Sequence, residues 1–225
     1  MEKFASEKQL KIKESKTQVI KFNFSKIYDF PPVLTLEGFE ENLKVIHESK
    51  LLGVMISNDL KWYSNTKYIC SKAYKKMWTL RRMKILDIEP YVMLDVYLKE
   101  IRSVLELAVP AWHSGLTLEQ SADIERVQRV AVNIILSDSN TGLCEYSYNM
   151  GLVILDIEPL EAMRLKLCQK FAKQTLKTRH ANIFPANNYP YSTRNKSKFF
   201  EESCNTKRFY NSPLNYLTRL LNEEN

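Results

Sequence analysis

The residues best placed to do chemistry in this chain are cations. Between positions 61 and 84 it carries Lys61, Lys67, Lys72, Lys75, Lys76, Arg81, Arg82 and Lys84 without one acidic side chain. Through the same stretch Trp62, Ile69, Ala73, Met77 and Leu80 recur at helical spacing, which predicts a helix over about 61–84 with one packed face. Lys61, Lys72, Lys75 and Arg82 lie roughly opposite that face. Cations repeated about once per turn match the spacing of phosphates along a duplex, so such a face tracks a nucleic-acid backbone without reading bases. An ordinary solvated helix face is usually mixed in sign and salt-bridged, and here the acids are missing. Lys166, Lys170, Lys173 and Lys177 form a second stripe, with Glu158 and Glu161 only at its start. That pattern suits backbone contact and ordinary helix-dipole complementarity equally well.

Other chemistries lack their residues. Two-metal phosphoryl transfer needs paired carboxylates, and the aspartates here are scattered, with no Asp-Asp dipeptide. His47, His113 and His180 stand far from one another, as do Cys70, Cys144, Cys168 and Cys204, with no close Cys/His spacing, so no metal site is expected. Ser103 and Ser114 near His113 have no nucleophile-elbow context. No small-molecule substrate is indicated. Trp62, Trp78 and Trp112 read as core anchors rather than base-stacking platforms.

The elements that must position the cations are mostly helical. Among 225 residues 44% are hydrophobic, enough for a core, and only five are glycine, which disfavours phosphate-cradling loops and an all-β fold. Thr17–Phe24, Val33–Gly38, Leu43–Ile46 and Leu51–Ile56 read as short strands of a small, mainly antiparallel sheet, with Gly53 permitting a bulge or a close backbone approach. A short helix is expected within 1–11. Pro90 suits a first helical position, with Met93, Tyr97, Ile101, Val104 and Ala108 inward. Thr117 is the expected N-cap of a helix burying Ile124, Val127, Ala131, Ile134 and Ile135. A short helix over 143–150 and another opening at Pro159, with Leu160, Met163, Leu167 and Phe171 inward, complete the bundle. From about 178 the composition turns to Asn, Pro, Ser, Tyr and Lys without a sustained period, apart from a short terminal helix over 214–221.

Charge follows the same division. The formal net charge is +7 with a pI near 9.1. Residues 1–60 hold nine bases and nine acids, residues 61–137 twelve and eight, and residues 138–225 twelve and nine, so the excess begins at Lys61. A polyanionic partner is expected. The charged N-terminus shows no signal-peptide core and no stretch reaches a membrane span, so a reduced intracellular setting, nuclear or cytoplasmic, is expected.

Several segments, in order, resemble the reverse transcriptases of non-LTR (LINE-type) retrotransposons. Lys16-Thr17 with Val19 and Phe22 is similar to the segment after that family's catalytic turn. Lys50-Leu51-Leu52-Gly53-Val54 followed by Asp59-Leu60-Lys61-Trp62 is similar to its K-Y/L-L-G-V strand and D-x-x-L-x-W. Lys72-Ala73 through Leu80-Arg81-Arg82 resembles its K-A-x…L-R-R helix. Tyr97 with Ile101–Ala108, and Pro110–Thr117, resemble its I-R-P/S-V-L-E-Y-A-P-V-W-H passage, and Ile124–Arg129 the helix after it. The likeness covers about 10–137 and extends loosely to 178.

It implies an α+β fold: a palm remnant over 1–58, a helical thumb over 59–178 and an irregular tail over 179–225. The region of Lys50, Leu52 and Gly53 would be the primer-grip hairpin. Lys61, Lys72, Lys75, Lys76, Arg81 and Arg82 would hold an RNA–DNA template–primer. Lys16 would be the general acid for the pyrophosphate leaving group. The departures are Lys13 where relatives have Asn, and the missing carboxylates, which would lie upstream of Met1. Mg²⁺ is then expected only in an intact polymerase. The reading is a polymerase piece that binds nucleic acid and is inactive alone. The alternatives are a protein-interaction module using exposed palm surface, or a retroelement relic.

Overall fold

A computed structural model of the chain describes residues 7–8, 13, 17–22, 43–138, 141, 144–187 and 197–223. The protein is α+β, and it divides into two units, Met1–Ser64 and Asn65–Asn225. Lys16, the strand expected at 33–38 and nearly all of the helix expected within 1–11 lie outside the described residues.

In the first unit the β-branched run Gln18–Ile20 (β1) pairs with Lys44–Ile46 (β2), and Glu48–Leu51 (β3) pairs with Val54–Ser57 (β4). The β3–β4 pair is antiparallel, with Leu51 opposite Val54, but β1–β2 is parallel, with Val19 opposite Val45. The strands thus form two separate pairs, one antiparallel and one parallel, where a single, mainly antiparallel sheet was expected. A parallel pair requires a long crossover, and the interval between Ile20 and Lys44 is long enough to supply one.

Leu51–Ile56 is not one bulged strand either. Leu52 (φ 48°) and Gly53 (φ 93°) both take positive φ and turn the chain over, as a two-residue I′ hairpin demands. Past β4 the backbone is locked by Asp59. Its Oδ1 accepts from Ser57 Oγ (2.6 Å) and from the Lys61 amide (3.0 Å). Asn58 N–H donates to His47 O at 2.8 Å.

The second unit is a helical bundle. Helix α1 (Tyr63–Ile85) has no interior Gly or Pro and buries Ile69, Cys70, Ala73, Met77 and Leu80. Pro90 opens α2 (Pro90–Val96), which runs through a π turn (Tyr97–Arg102) into α3 (Ser103–Glu106). Met93, Tyr97 and Ile101 are buried as expected, but Ala108 is exposed. Its φ of 53° reverses the chain where continued helix was expected. Short α4 (Val109–Trp112) follows, then α5 (Leu118–Leu136), capped by Thr117. The cap is a reciprocal box: Gln120 N–H to Thr117 Oγ1 (3.2 Å) and Thr117 N–H to Gln120 Oε1 (2.8 Å).

Helix α6 spans Tyr148–Ile154, later than the expected 143–150, because Ser147 is the residue that caps it. Helix α7 (Leu160–Thr175) does start after Pro159, but its buried positions are Leu160, Arg164, Cys168, Ala172 and Thr175. Phe171 is exposed, so the inward face is turned by about one residue from the expected stripe. After α8 (Lys207–Tyr210) comes the expected terminal helix, α9 (Pro213–Glu223). It buries Leu217, Leu220 and Leu221 and touches α7 and α4. Asn222 binds both the N–H (3.0 Å) and the C=O (3.1 Å) of Phe199, tying the irregular segment before it to this helix.

Tyr97, Gln128, Tyr148 and Glu125 are joined in one network inside the bundle. Tyr97 OH donates to Gln128 Oε1 (2.7 Å), and Gln128 Nε2 donates to Glu158 O (2.9 Å) and Tyr148 OH (3.1 Å). Tyr148 OH donates to Glu125 Oε1, which also accepts from the Leu160 amide at 3.2 Å. Burial holds both phenols above their usual range. They therefore stay protonated donors.

Candidate nucleic-acid interface

Burial of the Ile69–Met77 face fixes which side of α1 meets water. On that side Lys67, Lys72, Lys75, Arg81 and Arg82 are exposed, and none is ion-paired with a described residue. The helix fixes the attachment points of these charges at a constant pitch, and the flexible aliphatic stems carry them out into solvent. The remaining cations of the segment are engaged. Lys76 bonds Glu100 at 2.6 Å and holds that carboxyl below its usual range. Lys61 stands 3.7 Å from Asp59, with both side chains largely exposed. Lys84 Nζ donates to Ile135 O at 3.1 Å, which satisfies an end carbonyl of α5 and complements its dipole.

Trp78 corrects the sequence reading. Trp62 and Trp112 are buried, and Trp112 donates Nε1–H to Leu107 O at 2.9 Å. Trp78 is 65% exposed. It follows Met77 by one residue and so leaves the packed arc by about 100°. Its helical neighbours at three and four residues are Tyr74, Lys75, Arg81 and Arg82, and the Arg82 guanidinium lies 5.9 Å from its ring centroid. The signal was present in the sequence as an aromatic displaced from the apolar arc into the cations.

The hairpin places Leu52 at its tip, 92% exposed, beside Gly53, with Lys50 exposed on β3. Lys50, Leu52, Gly53 and Lys61 belong to the first unit, and Lys72, Lys75, Lys76, Arg81 and Arg82 to the second. The structure thus brings together the helix cations and, separately, the hairpin residues. On α7 Lys166, Lys170 and Lys173 are exposed, as is Lys177 just beyond its end, and Lys166 is paired with Glu158.

His113 is pushed down to about 4 by burial and by the charge of Arg164, whose Nε–H it faces at 3.3 Å. Burial drives the thiols of Cys70 and Cys168 up to about 11 and about 12, so neither is a thiolate near neutral pH. Among the described residues no group of three or more His, Cys, Asp and Glu is arranged to hold a metal ion. No helix among them is long and apolar enough to cross a membrane. Compared with known protein families, curated proteins and solved structures, the chain matches none.

Proposed function

We propose that this chain holds nucleic acid through phosphate contacts and does not polymerise it, as the end of a palm and the thumb of a non-LTR reverse transcriptase would. The observation that carries the reading is the acid-free outer face of α1, where Lys72, Lys75, Arg81 and Arg82 are exposed without ion pairs among the described residues. Such a face neutralises a backbone irrespective of sequence, and a template–primer hybrid is the ligand the resemblance implies. Polymerase activity would need carboxylates that the sequence lacks as a pair. The setting is nuclear or cytoplasmic, where RNA–DNA hybrids occur.

Fluorescence anisotropy of an RNA–DNA hybrid across a salt series tests it. Affinity should be micromolar at low salt, fall steeply with salt, and be lost in the Lys72→Glu, Lys75→Glu, Arg82→Glu variant. Absence of binding at low salt by a folded sample would overturn the reading. A protein-interaction role has its own support in the exposed apolar residues of the first unit, Leu51 (58%) and Leu52 (92%). Charge reversal on α1 would leave that kind of binding intact.

A further inference from the structure

We propose that Trp78 is a stacking platform for an unpaired base, so that the preferred ligand is a nucleic acid with a single-stranded segment rather than a fully paired duplex. The inference rests on the phosphate-binding reading of α1. An indole 65% exposed on a helix discards much of the apolar burial that makes tryptophan a core residue, so burial does not explain its position. What surrounds it does suggest an occupant. Lys75, Arg81 and Arg82 flank it at helical contact distance in sequence, no acidic residue occurs anywhere in α1, and Tyr74 adds a second, partly exposed ring. Arg82 sits over the ring at 5.9 Å from its centroid, a cation–π contact that holds one positive charge beside the indole. Cations around an open aromatic face fit a strand that offers phosphates to the first and a base to the second. A paired base has its faces covered by stacked neighbours, so only a splayed or single-stranded one can reach the ring.

The full chain should be titrated with short oligodeoxythymidine, with an abasic strand of the same length, and with a blunt RNA–DNA hybrid. Trp78→Ala should weaken oligodeoxythymidine binding roughly 5- to 150-fold, the range of one aromatic–base stack. Trp78→Phe should restore most of it, and the abasic strand should be indifferent to either change. Wild-type tryptophan emission should be quenched by the base-bearing strand and not by the abasic one, because Trp62 and Trp112 are buried. If Trp78→Ala affects all three ligands equally, or none, stacking is wrong while phosphate binding by α1 stands. If no oligonucleotide binds the wild-type chain even at low salt, both readings fall and Trp78 is left as a protein contact.

Discussion

Arg164 and His113 show what single residues impose on the bundle. Arg164 is 1% exposed, and its guanidinium bonds Ser121 Oγ at 2.6 Å and His113 Nδ1 at 3.3 Å, while Nη1 meets no hydrogen-bond acceptor among the described residues. A cation so placed leans on the charges of Glu125 and Glu161, and burial still lowers its pKa. His113 must remain neutral to accept from it, and Tyr216 packs edge-on against the ring at 5.6 Å. The linkage has a definite sign. The folded pKa of His113, about 4, lies below the ordinary 6.5, so the unfolded chain binds the proton first as pH falls. Stability from this group is therefore complete above about pH 6.5 and is lost progressively down to about pH 4. Allowing for partial exposure, the loss should be about 1–3 kcal/mol. Urea unfolding at about pH 7 and about pH 4.5 should show it, and His113→Asn, which keeps an acceptor without the titration, should flatten the difference. An unchanged pH dependence in that variant would mean that other groups control acid stability.

Between elements, the fit of α6 on α5 turns on Gly151. Helix propensity alone favours alanine there by about 1 kcal/mol. A Cβ at that position would lie 2.5 Å from Val132 Cγ1 and 3.3 Å from Leu136 Cδ1. Val132 is 1% exposed and β-branched within a helix, so its rotamer has little freedom to yield. Overpacking should win, and Gly151→Ala should destabilise by about 1–2 kcal/mol in denaturant titrations. In a Val132→Ala background the same change should turn neutral or stabilising; persistence of the full cost would locate the strain elsewhere. The hairpin gives a converse case. Leu52 pays for a left-handed backbone with its side chain in water, so Leu52→Asn should stabilise the turn by about 0.5–1 kcal/mol. Slower amide exchange in β3 and β4 would register the gain. These cases also mark where sequence stops being legible. The span of α1, the Thr117 cap and the start of α7 follow from local rules of period, capping and proline. The left-handed Leu52 is not legible from its own type, since leucine is not a turn residue, although the resemblance implies a hairpin around it; nor is the reversal at Ala108, because alanine favours helix. On α7 the period is legible but the face is not, because hydropathy favours Phe171 over Arg164 as a core residue, whereas Arg164 is buried and Phe171 exposed.

At the scale of the whole molecule the candidate site was legible as charge and illegible as surface. A net charge of +7 concentrated after Lys61 points to a polyanion, yet it does not say which cations are available to one. Availability depends on tertiary neighbours: Lys76 faces Glu100, a residue far along the chain, and Lys84 is spent on Ile135 O. Trp78 likewise could not be told from Trp62 or Trp112 by composition, since only packing separates the buried rings from the open one. This sorting makes a quantitative prediction. Each phosphate neutralised contributes a log–log salt slope of about 0.9 through counterion release. A lysine already paired must exchange its carboxylate for the phosphate, so it releases less. Replacing Lys72, Lys75, Arg81 and Arg82 by Gln should therefore reduce the slope for an RNA–DNA hybrid by about three to four. Replacing Lys61 and Lys76 by Gln should reduce it by less than about one, because Asp59 and Glu100 already neutralise them. Anisotropy titrations of both variants over a common salt range would measure the two slopes. Equal reductions per cation removed would mean that binding follows total charge, and that the outer face of α1 is not the surface that holds the strand.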